Sequence, residues 1–151
     1  MSKKEWGNAT WYLFHTLAEK LKPEFTHDAR EVYNEIYKIC GNLPCQECLD
    51  HATKTLKYVN VNNIKTREDL IILIWQFHNK VNAKANKQQF TLEECNELYK
   101  KSNMRNVVNN FLYIMKQKSG SERAMLLSHH RNSSLKNFTN YINKNLHKFN
   151  I

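Results

Sequence analysis

The 151-residue sequence has few residues that interrupt helices, with only three glycines and two prolines. Glycine and proline are the strongest breakers of regular structure, so their scarcity over this length favours helices. No segment alternates polar and apolar residues for long enough to predict a strand. Apolar residues make up 41% of the chain, which excludes a chain disordered throughout. The length suits one domain with an appendage.

Long apolar runs are also missing. The longest strongly apolar run, Leu70–Trp75, is far too short to cross a bilayer. The first six residues, Met1–Trp6, contain no apolar stretch of the kind that a signal peptide needs. We therefore expect a soluble protein that starts in the reducing cytoplasm. In that compartment its four cysteines are not a secreted disulfide framework.

Acidic residues are nearly absent from the last third of the chain. Residues 1–100 hold 14 basic and 13 acidic side chains, whereas residues 101–151 hold 9 basic and 1 acidic. The sequence thus predicts a body, residues 1–101, and a basic extension, residues 102–151. The extension either aids solubility, contacts an acidic partner, nucleic acid or a membrane, or packs on the body and alters a dimer interface. It carries no recognised nucleic-acid motif, so specific reading of DNA is not expected.

Apolar spacing and capping signals predict an all-α fold, with a bundle of four helices, a short fifth and a helical extension. The predicted helices of the body are about Ala9–Lys22 ending before Pro23, a second capped by Asp28 and Glu31, Cys45–Tyr58, Thr66–Lys87 and Thr91–Lys101. On the fifth helix, the predicted inner face is Leu92, Cys95, Leu98 and Tyr99. In the extension, Val107, Phe111, Leu112 and Met115 have helical spacing, and Ser119-Gly120-Ser121 is typical of a hinge.

Two cysteines separated by two residues, Cys45 and Cys48, follow Pro44 at a predicted helix start. They can meet across the first turn, where a disulfide opens and closes without moving the fold. The dipole and free N–H groups of a helix N-terminus lower the pKa of a thiol, and the thiolate is the species that exchanges with disulfides. The pattern predicts a redox pair in which one pKa is lowered.

Three other interpretations of the cysteine pair compete with this one. Half of a zinc site lacks its second half, since Cys40 and Cys95 are single and His51 is isolated. A thioredoxin-like centre needs strands, which the sequence does not predict. Two structural cysteines are also compatible with the spacing. The proline and the helix start favour the redox pair.

Two aromatic and polar motifs accompany the cysteines. On the fourth predicted helix, His78 and Asn82 share a face, with Trp75 one turn before and Asn86 one turn after. Asparagine amides suit the edge of a purine and a Trp face suits stacking, although a solvent-facing stripe is the alternative. The other motif is Trp6-Gly7-Asn8-Ala9-Thr10-Trp11 followed by His15, for which ordinary core packing is the alternative.

Together and in this order, these motifs resemble the Erv/ALR family of FAD-linked sulfhydryl oxidases. The resemblance covers about Trp6 to Tyr99, and the small size is most similar to the versions of large cytoplasmic DNA viruses. The matching pieces are WGxxxW with a following HTLA at His15-Thr16-Leu17-Ala18, then PCxxC, then HNxVN, then a lysine.

The resemblance implies a helical bundle that holds FAD at its mouth and makes disulfide bonds in protein thiols, with O2 reduced to H2O2. By position, Cys48 is the cysteine beside the flavin and Cys45 exchanges with incoming dithiols. Tyr99 stands where family members often have a tryptophan near the flavin. The expected cofactor-binding residues are Asn8, Trp11, His15, Trp75, His78, Asn79, Val81, Asn82, Lys87 and Tyr99. No metal is expected.

Some residues depart from the family pattern. Asn8 replaces a residue that is often basic, and the second structural disulfide of cellular members has no counterpart. Cys40 and Cys95 are buried free thiols, a pair, or a shuttle to Cys45. No terminal shuttle motif is present, so protein dithiols or a thioredoxin-like shuttle protein must reach Cys45. A homodimer is expected. The alternative function is a non-enzymatic basic helical binding module with structural or metal-linked cysteines.

Overall fold

The computed structural model describes residues 2–116 and 122–151, which form seven α-helices and no strand. Short 3₁₀ turns occupy Pro23–Asp28, Val61–Asn63 and Leu146–Lys148. The all-α prediction is therefore confirmed, and the predicted hinge at Ser119-Gly120-Ser121 lies outside the described residues. The helices are α1 Lys3–Lys20, α2 Ala29–Cys40, α3 Gln46–Leu56, α4 Arg67–Lys84, α5 Leu92–Lys100, α6 Met104–Met115 and α7 Glu122–Asn145.

Helix α1 begins well before the predicted Ala9, because a capping box closes its first turn. The Glu5 N–H donates to Ser2 Oγ at 3.2 Å, and the Ser2 N–H donates to Glu5 Oε2 at 3.0 Å. These two bonds satisfy backbone N–H groups that a helix start leaves unpaired. The Trp6–Trp11 motif consequently lies on the helix itself, and α1 ends at Lys20, ahead of Pro23.

The predicted capping box of α2 is wrong. Asp28 precedes the helix but makes no side-chain capping bond, and the Ala29 N–H donates to Thr26 O of the preceding 3₁₀ turn. The Asp28 carboxylate instead lies 3.1 Å from Lys148 Nζ, near the C-terminus. Its charge therefore joins the end of the chain to the body.

The capping boxes predicted for α4 and α5, at Thr66 with Asp69 and Thr91 with Glu94, are both present. Helix α4 stops at Lys84 rather than Lys87, because Asn86 adopts a left-handed conformation with φ of 57°. The Lys87 N–H then donates to Asn82 O at 2.8 Å and the Asn86 N–H to Ala83 O at 3.2 Å. These two bonds form a Schellman motif, a common way to end a helix.

The core is centred on α1, which packs against α4, α5 and α6. Its largest fully buried side chains include Leu13, Leu17, Ile74 and Phe111. On α5 the prediction was partly wrong, since Cys95 and Tyr99 are buried but Leu98 is 49% exposed. No helix within residues 2–116 and 122–151 joins sufficient length to sufficient apolar character for a bilayer crossing.

The described part of the basic extension packs on the body, whereas its effect on a dimer interface stays a prediction. Helix α6 lies along α1, and α7 contacts α2 and α6. The end of the chain also pairs with the end of α1, since the Lys22 N–H donates to Lys148 O at 2.9 Å and the Asn150 N–H donates to Lys20 O at 2.7 Å. Phe138 and Phe149 are buried in the same core.

Candidate cofactor and redox site

A cavity of about 870 Å³ opens between the start of α1, the start of α3 and the second half of α4. Organic cofactors bind in concave sites of roughly 300–1,000 Å³ with mainly apolar walls and a few polar groups. The apolar wall here includes Trp11, Phe14, Leu43 and Phe77. The cavity is thus large enough for a dinucleotide cofactor, and it is placed where the sequence motifs converge.

Six of the ten residues predicted to bind a cofactor line this cavity, namely Asn8, Trp11, His78, Val81, Asn82 and Lys87. Cys48 lines it as well, whereas Cys45 does not. The other four predicted residues, His15, Trp75, Asn79 and Tyr99, are absent from this lining, and Tyr99 lines a second cavity of about 570 Å³ together with His78 and Asn82. The structure therefore separates the predicted set into residues that face the cavity and residues that support it.

Trp75 and Asn79 hold the connection between α4 and α5. Trp75 Nε1 and Asn79 Nδ2 each donate to Phe90 O at 2.8 Å, and the Phe90 N–H donates to Asn79 Oδ1 at 3.1 Å. The side-chain polar atoms of Trp75 and Asn79 are thus hydrogen-bonded to the backbone of Phe90. The predicted ledge for a purine is shorter than expected, because Asn86 is exposed and ends the helix; only His78 and Asn82 of that ledge reach the cavity.

Two parallel ring stacks stand at the inner wall. Trp11 stacks on His78 with ring centroids 3.9 Å apart, and His15 stacks on Tyr99 at 4.1 Å. A hydrogen bond of 2.8 Å between His15 Nε2 and His78 Nδ1 joins the stacks. Burial lowers the pKa of His78 to about 4 and lowers that of His15 well below its usual value, so both rings are neutral near pH 7.

The two cysteines of the motif occupy different positions at the start of α3. Cys45 is the N-cap residue, so Pro44 precedes the helix instead of lying in its first turn, and both thiols are half-buried and free. The Cys48 N–H donates to Cys45 Sγ at 3.2 Å. One helix-terminal donor therefore points at the first sulfur and not at the second.

The pKa of Cys48 is raised, so Cys48 is not the member of the pair with the lowered pKa that the sequence predicted. Burial is the main cause, followed by its hydrogen bond to Cys45 and the charge of that neighbour. Lys3, at the start of α1, acts in the opposite direction and favours the Cys48 thiolate. In the reduced pair, burial thus outweighs the nearby positive charge.

Basic residues surround the mouth of the cavity. Lys3, Lys4, Lys84 and Lys87 line it with one carboxylate, that of Glu47. The sequence motifs did not point to Lys3, Lys4 and Lys84. The Ser2 and Glu5 capping pair was readable in the sequence, and it would have placed Lys3 and Lys4 in the first turn of α1. Such a cluster suits an anionic group such as a diphosphate.

The part of the chain that the structure describes contains no group of three or more His, Cys, Asp or Glu side chains placed to hold a metal ion. Cys40 and Cys95 are free thiols with fully buried side chains. Burial raises the pKa of each to about 12.

Comparison with known proteins gives a consistent family. The sequence model of the Erv1 / Alr family matches residues 8–102. A protein of Invertebrate iridescent virus 3 that is named as an FAD-linked sulfhydryl oxidase is 34% identical over 99 residues, which cover 64% of this chain and 67% of the viral protein. No solved structure matches the chain significantly.

Two further relatives carry the same description. The FAD-linked sulfhydryl oxidase ERV1 of Oryza sativa is 32% identical over 97 residues, which cover 64% of this chain and 50% of the plant protein. A fowlpox virus protein is 30% identical over 100 residues, which cover 66% of this chain and 95% of the relative. The chain therefore matches about half of the plant protein and nearly all of the fowlpox protein.

Proposed function

The chain belongs to the Erv1/Alr family of FAD-linked sulfhydryl oxidases, and we propose that Cys45 and Cys48 are the residues with which it forms disulfide bonds in protein thiols. The observation that supports this assignment is the position of Cys48 on the wall of the large cavity, with Cys45 beside it but outside that wall. One sulfur can thus face a bound cofactor while the other meets substrate.

The cavity fits FAD in size and in chemistry. Its volume of about 870 Å³ lies within the range for organic cofactors. The stacked rings of Trp11 and His78 offer a flat surface for an aromatic group, Asn82 offers an amide, and the lysines at the mouth offer charge for the diphosphate. We assign these residues to cofactor binding, and His15, Trp75, Asn79 and Tyr99 to supporting the wall.

The protein residues carry out thiol–disulfide exchange. A substrate thiolate attacks Sγ of Cys45 in the Cys45–Cys48 disulfide, forms a mixed disulfide with Cys45, and releases Cys48 as a thiolate. Attack of a second substrate thiolate on the substrate sulfur of the mixed disulfide yields the substrate disulfide and leaves both cysteines reduced. The Lys3 ammonium group favours the Cys48 anion on the cavity side.

Bound FAD supplies the remaining chemistry, in which two electrons from the reduced cysteines pass to O2 and give H2O2. Exclusion of water by the apolar wall around Trp11 and Phe77 strengthens each charge interaction with Cys48. The role of the protein at this stage is to keep the sulfur anion close to the cofactor and to shield it from solvent.

We also propose the partners of the protein and the place where it acts. The substrates are protein dithiols or a thioredoxin-like shuttle protein, O2 is the electron acceptor, and the protein acts as a homodimer. Several relatives belong to large DNA viruses, which supports action in the host cytoplasm and, for a viral chain, in the virion. Helices α6 and α7 stabilise the body by packing on α1 and α2.

The test of this function combines a spectrum with a turnover assay. We expect the purified chain to be yellow, with flavin absorption bands, and to consume O2 and release H2O2 when a dithiol is added. A folded chain that is colourless, takes up no added FAD and contains zinc would instead support the alternative of a binding module.

A further inference from the structure

Three helices contribute one side chain each to a buried chain of hydrogen bonds that ends at the cavity. Cys95 of α5 is completely buried, and its Sγ lies 3.3 Å from Nδ1 of His15 on α1. The other ring nitrogen of His15 lies 2.8 Å from Nδ1 of His78 on α4. His78 lines the cavity, and within residues 2–116 and 122–151 its Nε2 has no hydrogen-bond partner.

We propose that Cys95 is a positioning residue, which acts through His15 to make His78 present an N–H group to the cofactor cavity. The inference rests on the proposed function only in naming FAD as the occupant of that cavity. The hydrogen-bond chain itself depends on the three side chains alone. The hydrogen-bonded set of Cys95, His15 and His78 does not include the reacting sulfurs, so its role is to hold the cofactor and not to transfer electrons.

The protonation states of Cys95, His15 and His78 determine which group donates and which accepts in each hydrogen bond. Burial keeps both imidazoles neutral, so each ring has one N–H donor and one acceptor nitrogen. Burial also raises the pKa of the Cys95 thiol to about 12, so the sulfur keeps its proton. Two arrangements are then consistent with the distances, and they differ in whether Cys95 donates or accepts.

A thiol sulfur is a weak acceptor, whereas an imidazole nitrogen is a strong one. The favoured bond is therefore from the Cys95 S–H to His15 Nδ1. This bond places the His15 proton on Nε2, from which it is donated to His78 Nδ1. The remaining His78 proton must then be on Nε2, which faces an acceptor oxygen or nitrogen of the cofactor. The reverse arrangement would present a lone pair there.

Ring stacking supports a positioning role, because both imidazoles are fixed in orientation. His15 stacks on Tyr99 with an interplanar angle of 5°, and His78 stacks on Trp11 with an angle of 7°. Stacking fixes the plane of each ring, and a half-turn flip of either ring would break the 2.8 Å hydrogen bond between them. The proton position is consequently the one remaining variable of the pair, and Cys95 is the group that selects it.

Nuclear magnetic resonance of the ¹⁵N-labelled protein, as purified, tests the proposal. Long-range ¹H–¹⁵N correlations of the histidine rings report which nitrogen carries the proton. In the wild type we expect both His15 and His78 to carry it on Nε2. A wild-type His78 protonated on Nδ1 would overturn the proposal, whether or not flavin is bound.

Three variants complete the experiment. Cys95→Ala removes the donor, so the ring signals should move towards a mixture of the two protonation forms, and FAD should dissociate roughly three- to tenfold more readily. Cys95→Ser keeps an O–H donor and should restore both readouts. Val108→Ala is the control, because Val108 of α6 is also buried, is absent from the cavity lining and removes side-chain volume without removing a hydrogen bond. Unchanged histidine signals in Cys95→Ala, or equal changes in Val108→Ala, would refute the role of Cys95.

Discussion

The mouth and the interior of the site both contain cysteines, but in opposite environments. At the mouth, Cys45 and Cys48 are half-buried, a backbone N–H points at Cys45 and lysines stand nearby. In the interior, Cys95, His15 and His78 are hydrogen-bonded to one another, with the pKa of the thiol raised and those of both imidazoles lowered. Residue type therefore does not decide function here; burial and the nearest donor do.

The largest expected effect concerns the cysteines of the mouth. Cys45→Ser and Cys48→Ser should each reduce dithiol turnover by roughly a thousandfold or more, since a serine cannot form the disulfide on which exchange depends. Oxygen consumption measures the loss, and circular dichroism with the flavin spectrum should show an intact, loaded protein. Appreciable turnover in either variant would contradict the assigned mechanism and remove the contrast between the two regions.

Alkylation of the reduced protein should separate the two regions by a factor of about one hundred. Cys45 and Cys48 are partly accessible, whereas Cys40 and Cys95 are buried with thiol pKa values raised to about 12, and the thiolate is the form that reacts. Mass spectrometry after timed iodoacetamide treatment gives the four rates. Labelling of Cys95 as fast as Cys45 would show that the interior opens readily.

Acid should destabilise the interior. The folded-state pKa of His78, about 4, lies below the unfolded value of about 6.5. The unfolded state therefore binds more protons between these values, and stability falls as the pH decreases from about 6.5 towards 4. We expect a loss of roughly 2 kcal/mol between pH 7 and pH 4.5, measured by urea unfolding.

His78→Asn should reduce that pH dependence without abolishing it, because one of the two buried histidines is removed while His15, whose pKa is also lowered by burial, remains. A profile as steep as that of the wild type would assign the effect to other groups. The test compares how steeply the free energy of unfolding changes with pH and not its absolute value. A variant that is less stable at neutral pH therefore still answers the question.

The smallest expected effect concerns Trp11, which lies in the cavity wall between the two regions. Trp11→Ala should weaken FAD retention by about tenfold, because the indole that stacks on His78 is lost. Release of FAD, followed by fluorescence, measures the change. Tyr113→Ala is a matched control, since that ring is 72% exposed on α6 and remote from the cavity lining. Equal retention in the Trp11 variant and the wild type would mean that the cofactor lies elsewhere.

The sequence predicted the features that depend on local chemistry. The capping boxes of α4 and α5 need only residues three apart, so the sequence suffices to place the starts of both helices. The same rule applies to Ser2 and Glu5, but the aromatic spacing after Ala9 predicted a later start for the first helix. The start of α1, and with it the basic side chains at the cavity mouth, was consequently missed.

Contacts between distant segments could not be predicted. Helical spacing placed Trp75, His78 and Asn82 on one face, but it cannot show that the Trp75 indole is already bonded to Phe90 O. Nor could it join Cys95 to His15 across 80 positions. Such pairs depend on how α1, α4 and α5 pack together, and a single sequence contains no direct record of that packing.

The hydrogen bonds that Trp75 and Asn79 form with the backbone of Phe90 have a chemical consequence. A thiol oxidase works among reductants, and those molecules cleave sulfur–sulfur links without affecting amide or indole hydrogen bonds. Because the α4–α5 connection is held by the latter, and Cys40 and Cys95 are free thiols, reduction of the Cys45–Cys48 disulfide by substrate cannot open this wall of the active site. Excess dithiol should accordingly leave this connection in place.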